Sequence, residues 1–200
     1  RSAIILGSFD SDPIKLTDLP KDTAEFFMKA PSSSVLEFVL SPKNLLVEGD
    51  AEYILMEALH TKVTGTNLAE SGLSVISVGG LSFPRYLDIA KLVKSRVAVL
   101  TDNDHDIQTS ITDRYEKYDA DENLEVFYDD DITRSTFEIC FYQDNTAICD
   151  ELFSEGRKTL TVQEYMLKNK SKVAFEISSK KAAELEVPDY INKAITWLNS

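Results

Sequence analysis

The stretch Asn44-Leu45-Leu46-Val47-Glu48-Gly49-Asp50-Ala51-Glu52 decides how this chain is read. Its opening apolar run has the length and character of a buried strand. Gly49 lets the chain turn tightly at the strand's end. From Asp50 to Thr61 the apolar positions 51, 54, 55, 58 and 59 recur with helical spacing. The pattern then repeats. Leu73 to Val78 is a second strand, ending at Gly79-Gly80. Ser82 as N-cap and Pro84 in the first turn predict a helix to about Lys94, with Phe83, Leu87 and Ala90 on one face. Arg96 to Leu100 is a third strand, running directly into Thr101-Asp102-Asn103-Asp104. Strands alternating with helices imply a parallel sheet.

Working outward, residues 1–42 read as an irregular lead-in with one helix, Lys21 to Lys29, which stops before Pro31. Serines 32–34 look like a joint. Downstream, Ile107 to Tyr118 is helical and Leu124 to Tyr128 a strand. Ile132 to Asp144 (with Asp131 as N-cap), Ala147 to Phe153 and Thr161 to Asn169 read as helices, with Lys172 to Ser178 extending the last. Pro188 to Leu198 is a helix with Ile191, Ala194, Ile195 and Leu198 on one face. The expected fold is therefore α/β: a lead-in over 1–42, a parallel-sheet core over 43–130, and a mainly helical extension over 131–200.

Two hundred residues suffice for one core with appendages. Twenty-one basic and thirty-four acidic residues give a net charge of −13. Phosphate contacts dominate nucleic-acid affinity, so this chain alone should hold nucleic acid weakly unless its acids gather around metals or another domain does the gripping. No apolar run is long enough to span a bilayer, and no leader pattern follows Arg1. The chain reads as a fragment of a cytoplasmic protein. Cys140 and Cys149 fall in apolar surroundings, as buried thiols do.

In parallel α/β sheets, ligands bind at the carboxyl ends of the strands. Glu48 follows the first strand, and Glu52 lies one helical turn further on. Asp102 and Asp104 follow the third strand and, in an extended chain, face the same side. Four converging carboxylates repel one another unless a divalent cation lies between them. An all-oxygen set suits Mg²⁺ or Mn²⁺, and two such ions promote phosphodiester cleavage. Taken singly, each acid has a plainer reading as a solvated loop residue, and Glu52 as an acid favoured at a helix start.

Leu46-Val47-Glu48-Gly49-Asp50-Ala51-Glu52 followed by Leu100-Thr101-Asp102-Asn103-Asp104 resembles the Toprim domain, a Rossmann-like catalytic fold, and most closely that of the OLD (overcoming lysogenisation defect) nucleases. Tyr53, the Phe83-Pro84-Arg85-Tyr86 stretch and the lead-in from Leu19-Pro20 through Leu36-Glu37-Phe38 also fit, so the resemblance covers most of residues 16–199. It implies a metal-dependent endonuclease acting on DNA, with Glu48, Glu52, Asp102 and Asp104 as ligands of Mg²⁺ or Mn²⁺. Thr136-Phe137-Glu138 matches a downstream element, making Glu138 a further ligand. A late lysine in a K-x-x-x-A setting implies Lys170, with Lys172 a rival, as the catalytic cation that offsets transition-state charge. Without the family, Glu138 and Lys170 are ordinary surface residues. The resemblance also implies an ATPase domain elsewhere in the full protein, homo-oligomers formed through it, and phage defence or DNA processing as the setting. Many Toprim domains place glycine soon after the second aspartate. Here His105-Asp106 stands there, as a possible phosphate contact and ligand or as plain loop.

Two other readings stay open. An aspartyl-phosphate phosphatase also carries Asp-x-Asp after a strand, with the first aspartate as nucleophile. Alternatively, the domain is a non-catalytic regulatory or interaction module. Elsewhere, His60 has no metal-spaced partner and reads as a capping or surface residue. Trp197 reads as packing. Asp129-Asp130-Asp131 reads as a turn, with a metal role as the alternative. Gly156-Arg157-Lys158-Thr159 lacks the spacing of a phosphate-cradling loop.

Overall fold

The structure is a computed structural model that describes residues 4–5, 14–29, 33–79, 82–155 and 159–200. Strands β1 (Ile4–Ile5) and β2 (Ile14–Lys15) make a small antiparallel pair. Helix α1 (Lys21–Lys29) lies where its sequence places it. A second lead-in helix, α2 (Ser33–Leu40), begins within the segment 32–34 read as a joint, of which Ser32 lies outside the described residues.

The central sheet holds β3 (Lys43–Val47), β4 (Leu73–Ser77), β5 (Arg96–Leu100) and β6 (Leu124–Phe127), all parallel, in the order β4-β3-β5-β6. The chain leaves β3 for β4 on one side and then returns past β3 to add β5 on the other. That reversal makes the carboxyl ends of β3 and β5 the topological switch point, the place where open α/β sheets bind ligands.

Side chains alternate across each strand, so the sheet feeds two cores. Leu45, Val47, Ala98 and Leu100 face one side. There they pack against α3 (Asp50–Thr64), α7 (Phe137–Asp144), α8 (Thr146–Phe153), α10 (Lys170–Lys181) and α11 (Asp189–Leu198). Leu46, Val97 and Val99 face the other side, against α1, α2 and α5 (Phe83–Val93). Phe83, Leu87 and Ala90 are buried as the sequence spacing requires, as are Ile191, Ala194, Ile195 and Leu198. Arg96 stacks on Trp197, 4.1 Å from its ring centroid, and donates to the Trp197 carbonyl and to Ser200 Oγ, tying the last helix to the base of β5. Both cysteines are buried.

Several boundaries differ from the sequence reading. A short helix, α4 (Leu68–Ser71), is closed at its start by a reciprocal Asn67–Glu70 capping box that the reading missed. Residues 107–118 are helical but irregular: Gln108–Thr112 is a π-helix, followed by α6 (Asp113–Tyr115) and a 3₁₀ turn. Helix α7 starts at Phe137, with Thr136 as its cap, not at Ile132 with Asp131 as cap. Asp131 instead closes a tight turn, its Oδ1 accepting from Thr133 N and Oγ1. Asn169 breaks the last expected helix into α9 (Val162–Lys168) and α10. Ser82 makes no side-chain cap at α5. His60 is fully buried, not a surface residue; its Nδ1 lies 3.0 Å from the Thr66 carbonyl at the end of α3. Gly80 and the 156–158 part of the glycine-lysine stretch lie outside the described residues.

Candidate metal centre

Glu48 leaves β3 at the switch point, and Asp102 leaves the neighbouring β5. The β3–β5 register pairs Leu46 with Val99, which brings Glu48 level with Thr101. The structure draws the two strand ends together through side chains. Thr101 Oγ1 donates to Glu48 Oε1 at 2.7 Å, and the Asp102 backbone N–H donates to the same oxygen at 3.1 Å. Asp102 Oδ1 accepts the Phe137 N–H at 2.8 Å, so the start of α7 holds that carboxylate from the far side. A helix start is a natural seat for an anion, because its first N–H groups lack intrahelical partners.

Glu52 sits in the first turn of α3 and is 8% exposed; Glu138, the second residue of α7, is 4% exposed. Lys170 opens α10, and its Nζ lies 3.0 Å from Glu138 Oε2. That ion pair lacks a well-angled hydrogen bond. Helices α3 and α10 pack side by side with both of their starts at the same cavity. It encloses about 200 Å³ and is lined by Glu48, Gly49, Asp50, Ala51, Glu52, Asp102, Lys170 and Ser171. A methyl group at Gly49 would stand 3.4 Å from Glu52 Oε2, an ordinary contact distance that sets Gly49 directly beside that carboxylate.

The electrostatics follow from that crowding. Burial, with the charges of Glu138 and Glu48, raises Glu52 from 4.5 to about 7, against a backbone hydrogen bond and Lys170 that lower it. Burial and the charge of Glu48, with smaller contributions from Glu52 and Glu138, raise Asp102 from 3.8 to about 8, against the hydrogen bond from Phe137. Burial opposes the charge on Lys170, but Glu138, Asp102 and Glu52 outweigh it and hold the ammonium above its ordinary range. Four carboxylates thus share one electrostatic neighbourhood with one ammonium. Among the described residues, no three His, Cys, Asp or Glu side chains already stand in a closed metal-binding group. The donor set nevertheless fits a hard divalent cation. It is all oxygen, partly buried and mutually repulsive, and a cation of higher charge than one ammonium would relieve it.

The neighbouring candidates lie apart from this cavity. Asp104 is exposed with φ 50°, its N–H bonded to the Ser135 carbonyl. His105, at φ 63°, is pinned through Nδ1 to the Ile132 carbonyl at 2.7 Å. Asp106 accepts the Thr109 N–H, which holds its carboxyl below the usual range. Lys172 is exposed and does not line the cavity. Asp129 pairs with Arg134, which also grips both oxygens of Asp144. Asn103, between the two aspartates, is buried; it donates to the Asp129 and Asp131 carbonyls and so fixes the 129–131 turn against the strand end. Asp50 and Ser171 line the cavity without having been singled out in the sequence. For Asp50 the signal was present, an acid in the first turn beside Glu48.

The structure is thus a parallel four-stranded sheet with acids gathered at the β3–β5 switch point. Residues 40–104 match the family model described as overcoming lysogenization defect protein-like, TOPRIM domain. The fold is also similar to the C-terminal region of the Burkholderia pseudomallei OLD protein. The two share 22% identity over 80% of this chain and 98% of that one, with a TM-score of 0.58. A C-terminal region of the Xanthomonas campestris pv. campestris OLD protein gives 20% identity over 82% and 94%, with a TM-score of 0.57. None of the curated proteins matches in sequence. Residues 40–104 are therefore similar to an OLD-like Toprim domain, and the chain has the fold of an OLD C-terminal region. Among the described residues, no helix is long and apolar enough to cross a membrane.

Proposed function

We propose that this chain is the nuclease part of an OLD-type protein and hydrolyses DNA phosphodiester bonds with Mg²⁺ or Mn²⁺. The observation that carries this reading is the convergence of Glu48, Glu52, Asp102 and Glu138, from four separate elements, at the switch point of the sheet. These four would hold the ions, two in number, with Asp104 as a further ligand if its loop turns inward. Bound there, the cations would supply Lewis acidity for an attacking water and for the departing oxygen. The chain's own residues do the rest. Glu48 and Asp102 are held by strand-end and helix-start hydrogen bonds, so their oxygens need little reordering. Lys170 keeps its proton at neutral pH and offsets charge on the phosphate. The water oxygen joins phosphorus as the P–O3′ bond breaks; the water gives up one proton to solvent, and the departing 3′-oxygen takes one up from it. Hydrogen bonding of Asp102 by Phe137 N–H, among three other acids, supports a ligand's role over a phosphatase nucleophile's.

A net charge of −13 leaves the grip on DNA to other surfaces. An ATPase domain of the full-length protein, and oligomers formed through it, would supply that grip. The test is nicking of supercoiled plasmid with Mg²⁺ or Mn²⁺, beside Asp102→Ala and a chelator control. Cleavage that disappears in both supports the reading. Equal cleavage by the variant overturns it. Metal binding without cleavage by the wild type favours a regulatory module.

A further inference from the structure

We propose that Thr101 is a positioning residue that fixes Glu48 for metal binding; the inference rests on the metal reading above. Glu48 sits on a loop between β3 and α3, and Gly49 beside it gives that loop no side-chain anchor. Its restraint comes from the neighbouring strand. The Thr101 hydroxyl and the Asp102 N–H both donate to Glu48 Oε1, at 2.7 and 3.1 Å. Among the described residues no hydrogen bond reaches Glu48 Oε2. One carboxylate oxygen is therefore held while the other stays available at a cavity that Glu48 lines.

Thr101 is well placed to do this. It is 4% exposed, so water does not compete for its single proton. Its β-branched side chain is stiff about χ1. The Tyr115 hydroxyl, delivered by the helix that follows the π-helical stretch, is buried beside Thr101 without a well-formed hydrogen bond of its own. The Thr101–Glu48 bond also couples the two strand ends: whatever seats Asp102 seats Glu48 with it. A ligand side chain fixed in advance loses less rotamer freedom when a cation binds.

The experiment is Mn²⁺ binding to the full chain, by calorimetry or by loss of the free-ion electron paramagnetic resonance signal, for wild type, Thr101→Val and Thr101→Ser. Circular dichroism checks that each variant folds. Valine keeps the shape and loses the proton, and affinity should fall by about 10- to 100-fold, as for other residues that orient metal ligands. Serine keeps the hydroxyl and should bind close to wild type. Equal affinity of Thr101→Val and wild type would overturn the proposal. So would a serine variant as weak as valine, since packing and not the hydrogen bond would then be responsible. A wild type that binds no Mn²⁺ would sink the metal reading itself, and that result is visible before any variant is compared.

Discussion

Replacing Glu52 by glutamine should make the protein more stable at pH 8 in the presence of a chelator. Burial is the first reason, and the charges of Glu138 and Glu48 add to it; together they raise this carboxyl from 4.5 to about 7. In the unfolded chain the same group ionises near its ordinary value. Between those two values the folded state holds the extra proton. Stability is therefore fully present below about pH 4.5 and is lost as pH rises towards 7. At ~1.4 kcal/mol per pKa unit the loss by pH 8 is about 3 kcal/mol. Asp102, raised from 3.8 to about 8, acts in the same sense over its own, wider interval. Glutamine keeps the shape of Glu52 and an oxygen to accept its backbone hydrogen bond, while removing the charge. For a chain of this size ~1 kcal/mol corresponds to about 2–4 °C, so the melting temperature should rise by up to about 6–12 °C at pH 8. At pH 4.5, where folded Glu52 is protonated, the gap between variant and wild type should nearly close. Thermal unfolding followed by circular dichroism at both pH values reads this directly. A glutamine variant no more stable than wild type at pH 8, or a gap of the same size at pH 4.5, would refute the reasoning.

Three other changes follow from the same geometry. Lys170→Met should retain Mn²⁺ binding yet lower plasmid cleavage by about 10²- to 10³-fold, the usual loss when one transition-state charge partner is removed; unchanged cleavage would exclude Lys170. Arg96→Ala removes the stack on Trp197 and two hydrogen bonds at the chain's last helix, and should cost about 1–3 kcal/mol in denaturant unfolding. Asn103→Ala strips two carbonyls of the 129–131 turn of their donor, and should speed amide exchange in that turn with little effect at α5.

The core was legible because strand and helix periods differ. Leu45 and Val47 against Leu46, and Ala98 and Leu100 against Val97 and Val99, give the two faces of the sheet from alternation alone. Glu48 and Asp102 were legible for the same reason, since both terminate such strands. The start of α7 was not. Ile132 and Phe137 invite a single helix, but Asn103 and Arg134 hold residues 129–134 as a turn, and tertiary hydrogen bonds override local pattern. Asp104 shows the limit of strand logic: two residues with positive φ end the extended chain just past Asn103, so the alternation that aligned Asp104 with Asp102 no longer applies. Thr101 carries no signal in the sequence, because a threonine at a strand end is commonplace until its neighbour across the sheet is known.

The late arrival of Glu138 and Lys170 has a consequence for how such a chain is made. During synthesis, β3 to β6 leave the ribosome first, bringing Glu48, Glu52 and Asp102 with them. The start of α7, which bonds Asp102, and the ammonium at the start of α10 follow on the order of seconds later, at ~5–20 residues per second. Until then three like charges meet with neither their helix-start donor nor their internal cation. The half-made protein can raise a sheet, but its acidic cluster is complete only when the starts of α7 and α10 have followed.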